Sequence, residues 1–178
     1  MASRSISDAL RSGTLAECEV ELLGHLEVAV KDVFTTMCPA MSELVASVEP
    51  HPVLDGKRST EHVSVEAVVE FSGPATGAVV LRCTPEAAAD IARGLLMLGE
   101  GETVELSEVR DALGECANMV TGALKTRALD PHGEFRLSVP KLDTLVNLPA
   151  QRRCGRLVFE LSEGSAAIEI WLAGTPAA

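Results

Sequence analysis

The chain has 178 residues, enough for one domain with a substantial core that needs no disulfide or structural metal. Its formal net charge of -11 opposes the phosphate-neutralising contacts on which nucleic-acid binding depends, and it disfavours an anionic membrane surface in the same way. Aromatic residues make up only 3% and tyrosine is absent, so the core is expected to be aliphatic.

The cysteines and the N-terminal region indicate a cytoplasmic protein. Five cysteines are widely spaced and form no C-x2-C pair, which favours reduced thiols over a disulfide framework or a zinc site. No apolar run has the length of a signal peptide or of a membrane span. We expect residues 1–18 to be a flexible extension and residues 19–178 to form the domain.

The first predicted elements are a helix and a strand. Thr14 and Glu17 have the spacing of a capping box, and apolar residues then recur at helical intervals from Leu23 up to Pro39. Apolar and polar residues alternate over 63–71, which predicts a half-buried strand.

The next predicted elements are a returning strand and a second helix. The turn-forming residues at 72–77 lead into an apolar segment, 78–83, which is expected to pair back on the first strand. Thr84 as N-cap and Pro85 at the first helical position predict a helix that ends near Gly99.

A third helix and three further strands complete the predicted fold. The helix is expected over 104–128, with these residues facing the core: Leu106, Val109, Leu113, Cys116, Ala117, Val120 and Leu124. Segments 157–161 and 168–172 alternate around a turn and predict a hairpin, and 135–139 can form one more strand. The layout is α+β, an antiparallel sheet packed with helices.

Polar residues form a stripe on the third helix. Asp111, Glu115 and Asn118 stand at i, i+4 and i+7, so they share one face while the opposite face is apolar. Gly122 continues the stripe and would let another molecule approach the helix closely. By helix patterning alone, such a face is more often merely solvated.

The spacing of these residues resembles a known signature. Asp111-x3-Glu115-x2-Asn118-x21-Pro140 is similar to the D/S-x3-E-x2-N-x21-P motif of the CheC, CheX and FliY chemotaxis phosphatases, and the resemblance extends over residues 19–173. It implies a CheC/CheX-like fold. Since the chain has a single E-x2-N pair, it resembles CheX more than the two-site CheC.

The resemblance also implies a reaction and a partner. The substrate is expected to be the aspartyl-phosphate of a CheY-like receiver, with Glu115 docking to the receiver's lysine and Asn118 orienting the attacking water. Asp111, Gly122 and Pro140 are expected to contact the partner or shape the docking surface. Mg²⁺ would be supplied by the receiver, and this chain would bind no metal or cofactor. The family also suggests a homodimer.

Two other functions stay open at this point. Ala123 and the segment 141–143 depart from the family pattern, which leaves room for a non-catalytic adaptor that binds a response regulator or a motor-switch component. A weaker alternative is a small-molecule enzyme that uses the acidic stripe to hold a metal. Cys116 lies between Glu115 and Asn118 in sequence, but its helical angle favours a core thiol over a nucleophile.

Overall fold

The computed structural model describes residues 6, 19–37, 46–47, 64–99, 102–142 and 151–173. The helices in these ranges are α1 (Glu19–Met37), α2 (Pro85–Leu96) and α3 (Leu106–Leu124). The strands are β1 (Ala46–Ser47), β2 (Val65–Ser72), β3 (Gly77–Cys83), β4 (Arg136–Leu137), β5 (Lys141–Leu142), β6 (Gln151–Leu161) and β7 (Gly164–Ala173). A π-helical turn, Lys125–Leu129, and a short 3₁₀ turn, Asp130–His132, follow α3 directly.

The strands of the described ranges form one antiparallel sheet. Its order is β1-β6-β7-β3-β2-β4, and β5 pairs with β2 beside β4. The β2–β3 and β6–β7 pairs are hairpins, in which Phe71 lies opposite Gly77 and Leu161 opposite Gly164. The predicted α+β architecture, an antiparallel sheet packed with helices, is therefore confirmed.

Alternation along the strands separates the two faces of the sheet. Ala67, Val69 and Phe71 of β2 are buried in the same core cluster as residues of all three helices. Val68, on the opposite face, belongs to a separate small cluster with residues of β3. The helices thus cover one face, since a β-strand points successive side chains to opposite sides.

Gly77 is required by the close approach of the neighbouring chain at the start of β3. A Cβ built on Gly77 would lie 2.4 Å from both Phe71 Cζ and the Trp171 carbonyl oxygen. Any larger residue would displace the hairpin or the adjoining strand β7. The glycine of the predicted turn segment therefore has a packing role as well as a turn role.

The core is aliphatic, as the composition predicts, with a few aromatic anchors. Phe34 of α1 stacks on Phe159 of β6 with ring centroids 6.5 Å apart, which joins the first helix to the sheet. Helix α3 lies over β2 and β3 and contacts both α1 and α2. This position buries one side of α3 and leaves the other side accessible.

Helix α2 begins as predicted and ends earlier. The Thr84 hydroxyl accepts a hydrogen bond from the Ala87 N–H at 3.3 Å, and Pro85 is the first helical residue. The last helical residue is Leu96, because Met97 adopts a left-handed conformation with φ of 54° and caps the helix. The predicted end near Gly99 was thus late by three residues.

Two other predictions need correction. Leu106 was predicted to face the core, but it opens α3 and is 68% exposed. The strand predicted at 135–139 is present but shorter, as β4, and a further short strand that was not predicted, β5, follows after residues 138–140. Periodicity gives the angle of a side chain on its helix, but it does not show whether another element lies opposite.

Several predictions concern residues outside the described ranges, namely the Thr14 cap, the role of Asp143 and the extension expected at residues 1–18, of which only Ile6 is described. Ile6 is described, and it is buried with its N–H donating to Glu21 Oε2 at 3.1 Å. Within the part of the chain that the structure describes, none of the helices combines the length and apolar character that crossing a bilayer requires.

Candidate functional site

Helix α3 is fixed at its start and along its buried side. Glu105 N–H donates to Glu108 Oε2 at 2.9 Å, and Val109 N–H donates to the Glu105 carbonyl at 3.0 Å, so the first turn is well capped. Leu113 and Val120 are fully buried on the inner face. This anchoring gives the outer face of the helix a fixed orientation.

The outer face carries the predicted stripe of Asp111, Glu115, Asn118 and Gly122. Asp111 and Glu115 are exposed, while Asn118 and Gly122 are half-buried. The structure therefore places these residues along one accessible side of a rigid helix, as the spacing predicts.

The polar side chains of the stripe have no hydrogen-bond or ion-pair partner among the described residues. Within the described residues, no hydrogen bond or ion pair engages the side chains of Asp111, Glu115 or Asn118. Other charged side chains of this region do have partners within the chain. Lys125 Nζ pairs with Asp130 Oδ2 at 2.7 Å, and the Glu108 carboxylate caps the start of the helix. The carboxylate of Glu115 and the amide of Asn118 are thus available to a partner molecule.

Gly122 leaves the end of the stripe bare. A Cβ built on it would meet no heavy atom of the described residues within 4 Å, so packing among those residues does not require the glycine. The next residue inward, Thr121, is buried and donates its hydroxyl to the Ala117 carbonyl at 2.6 Å. Glycine in a helix interior costs about 1 kcal/mol relative to alanine, and packing among the described residues does not account for it here.

Pro140 is distant in sequence but lies against the same helix. A Cβ built on Gly114 would sit 3.5 Å from Pro140 Cβ and 3.8 Å from Leu142 Cδ1. The edge of the sheet therefore lies beside α3, one position before Glu115, at a distance where a Cβ on Gly114 would make ordinary van der Waals contact. Sequence reasoning assigned no role to Gly114, and no local pattern placed it beside Pro140.

Cys116 is a core residue, as predicted. It is 2% exposed and faces the sheet, where Cys83 is also buried. Burial, and to a smaller degree the neighbouring Cys116, raises the pKa of the Cys83 thiol well above its ordinary value of 9.0. A neutral buried thiol is a poor nucleophile, so Cys83 supplies no reactive group to the site.

No metal centre accompanies the stripe in the described ranges. Among those residues, no three His, Cys, Asp or Glu side chains converge closely enough to hold a metal ion. The acidic residues of α3 point into solvent and do not gather around a common point. The metal-dependent small-molecule enzyme therefore gains no support from the geometry.

Residues 65–162, more than half of the chain, match the model described as chemotaxis phosphatase CheX. The chain belongs to the CheX family. The matched segment includes Asp111, Glu115, Asn118, Gly122 and Pro140. No curated protein matches the sequence.

Solved structures share the fold. A CheX from Vibrio vulnificus has a TM-score of 0.65 at 21% identity, covering 86% of this chain and 97% of its own. A CheC-like superfamily protein from a Shewanella species has a TM-score of 0.65 at 22% identity, covering 87% and 99%. A Borrelia burgdorferi CheX, solved in complex with CheY, BeF₃ and Mg²⁺, has a TM-score of 0.57 at 18% identity, covering 85% and 96%.

Proposed function

We propose that this chain hydrolyses the aspartyl-phosphate of a CheY-like receiver protein. The observation that carries the proposal is the pairing of Glu115 and Asn118 on the accessible side of α3, both without an internal partner in the described residues. Family membership supports the phosphatase activity, and the Borrelia CheX–CheY complex supports the kind of partner.

Asn118 is proposed as the catalytic residue. An aspartyl-phosphate is an activated acyl phosphate whose hydrolysis passes through a loose, in-line transition state, so placing the water matters more than a strong base. A carboxamide has both an acceptor oxygen and a donor NH₂ and can hold a water in line with the phosphorus. The half-buried position of Asn118 limits the orientations of its amide and reduces the entropy lost on docking.

Glu115 is proposed as the docking residue. It is exposed and lies one turn before Asn118, so a lysine of the receiver can reach it while the amide enters the receiver's active site. Such a charge-assisted hydrogen bond fixes the position of the helix. Asp111, one turn further out, adds negative charge that attracts the same cationic surface.

The remaining site residues are proposed to shape the docking surface. Gly122 provides clearance where the receiver passes close to the helix, and Pro140 sets the position of the sheet edge beside Gly114. The Mg²⁺ that the reaction uses would be held by acidic residues of the receiver. A homodimer and a cytoplasmic location accompany the proposal as expectations from the family.

The proposal is tested by following aspartyl-phosphate decay on CheY-like receivers from the same genome, with and without this protein. We expect faster decay of one receiver, and we expect Glu115→Gln to raise KM about tenfold while kcat stays within twofold, because the residue docks and does not react. Binding of a receiver without faster decay would contradict the phosphatase and support the adaptor.

A further inference from the structure

The sheet edge beside the candidate site contains a β-bulge. β2 pairs with this edge at Phe71–Leu137 and again at Ala67–Leu142, so a step of four residues in β2 matches a step of five on the edge. The register is still regular at Ser138, whose N–H donates to the Glu70 carbonyl at 2.8 Å. The additional residue therefore falls at Val139 and Pro140.

Glu70 holds this bulge from both sides. Its N–H donates to Ser138 Oγ at 3.0 Å, and its carboxylate pairs with Lys141 Nζ at 2.7 Å. The residues before and after the bulge are thus attached to a single residue of β2, the third from its end. This attachment makes the bulge an ordered part of the sheet.

The two bulge residues have different surroundings. Pro140 packs beside Gly114 of α3, whereas Val139 is 83% exposed. A residue before proline is restricted to extended conformations, and a β-branched side chain has few rotamers. The structure thus presents a rigid apolar group to solvent, next to the helix that carries Glu115.

Rigid apolar groups of this kind suit binding. Docking an ordered side chain loses little conformational entropy, and β-bulges at sheet edges commonly re-aim a side chain near functional sites. Single exposed valines are ordinary on protein surfaces. Val139 differs from other exposed valines in three ways. It lies in a β-bulge, the bulge is attached to Glu70 on both sides, and the next residue, Pro140, packs beside α3.

We propose that Val139 is a docking residue that contacts an apolar side chain of the receiver, beside the lysine that pairs with Glu115. The inference rests on the proposed function and adds a determinant of partner choice to it. The docking surface then has two parts, the polar stripe of α3 and the apolar tip of the bulge, joined through the Pro140–Gly114 contact.

The test compares Val139→Asn, Val139→Ile and Val20→Asn in receiver titrations and in decay assays. Asn replaces the apolar contact without adding charge, and Ile keeps it. Val20 is a matched control because it is similarly exposed, at 79%, and lies far from the bulge. It belongs to α1, whose Leu23 packs at Gly155 of β6, and β6 is three strands away from β2 in the sheet. The probe is the receiver carrying beryllium trifluoride and Mg²⁺.

We expect Val139→Asn to raise both Kd and KM about tenfold with kcat within twofold, a change consistent with losing one apolar contact. Val139→Ile and Val20→Asn should match wild type, and all variants should unfold like wild type. The inference is overturned if Val139→Asn leaves the Kd for the receiver unchanged. It is also overturned if the substitution alters self-association of this chain and not its binding to the receiver.

The two proposals can fail separately. If wild type speeds decay and Val139→Asn does so equally at low receiver concentration, only the role of Val139 fails. If wild type binds a receiver without speeding decay, the phosphatase fails, and the Kd values still decide whether Val139 docks. If wild type binds no receiver, both fail together.

Discussion

Two glutamates of this acidic chain have opposite surroundings. Glu169, in β7, is 1% exposed and its carboxylate receives Trp171 Nε1–H at 2.9 Å. It also pairs with three arginines at 3.2 to 3.7 Å, namely Arg82, Arg153 and Arg156. Glu115, on α3, is exposed and has no such partner among the described residues.

The difference separates a structural charge from an available one. Glu169 is desolvated, and its contacts within the sheet compensate for the lost water, so nothing outside the fold is needed. Glu115 stays hydrated, and burying it against a partner is favourable only if that partner brings a cation. The contrast predicts that Glu169 matters for stability and Glu115 for binding.

The largest expected effect is the loss of stability on replacing Glu169 by glutamine, for which Glu115→Gln is the comparison. Glu169→Gln should lower the free energy of unfolding by about 3 kcal/mol or more, because three arginines lose the buried carboxylate they share. Glu115→Gln should change it by less than about 0.5 kcal/mol, as is usual for exposed residues. Urea unfolding of both variants measures these free energies. Equal losses of stability would contradict the distinction between a structural Glu169 and an available Glu115.

A second test adds bulk to the bare part of the stripe. Gly122→Leu should not destabilise the fold, since the position is open and helix propensity improves by somewhat less than about 1 kcal/mol. It should weaken receiver binding by about tenfold or more, because the side chain occupies the space that the partner needs.

The matched control for that variant is Gly24→Leu on α1. Gly24 is also accessible, in a helix interior, and a Cβ there meets no heavy atom within 4 Å. Both leucine variants should gain similar stability in urea, and only Gly122→Leu should bind the receiver more weakly. If the two bind equally well, the clearance at Gly122 has no role in docking.

The smallest expected effect concerns Cys83, which is buried in the core at the end of β3. The folded chain holds the Cys83 thiol protonated at a pH where the unfolded chain releases the proton, because burial raises its pKa well above 9.0. Its contribution to stability is therefore complete below pH 9 and decreases above it, by at most about 1.4 kcal/mol per pH unit.

Urea unfolding at pH 8, 9 and 10 compares wild type with Cys83→Ala to measure that slope. The chain has no tyrosine, and the lysines and four other cysteines, residue types that ordinarily titrate in this range, are the same in both proteins. The free energy of unfolding should decrease less steeply with pH in Cys83→Ala than in wild type. Parallel curves would mean that the thiol ionises equally in the folded and unfolded states.

The local elements could largely be predicted from sequence. The α3 stripe and its buried side follow from helical periodicity, since the i, i+4 and i+7 spacing of Asp111, Glu115 and Asn118 predicts the accessible side that they share. The hairpins follow from alternation and turn residues. The helical angle of Cys116 alone predicts a core position, and the residue is buried.

Long-range pairing could not be predicted. The bulge at Val139 exists because β4 and β5 pair with β2, more than sixty residues earlier, and no local pattern encodes that register. The same pairing brings Pro140 to Gly114, which sequence could suggest only through the motif offset. The strand predicted at 135–139 is shorter than expected, and β5 was missed, for this reason.

Asn118 is proposed to act on the phosphoryl group and not on folding, and the phosphatase proposal depends most directly on this residue. The decisive measurement is the rate of aspartyl-phosphate decay on the receiver at a saturating concentration of the Asn118→Ala variant. The Kd for the receiver and the stability in urea are measured on the same variant. We predict a kcat about 100-fold below wild type, a Kd within a few-fold and unchanged stability. An Asn118→Ala variant that speeds decay as fast as wild type would contradict the account.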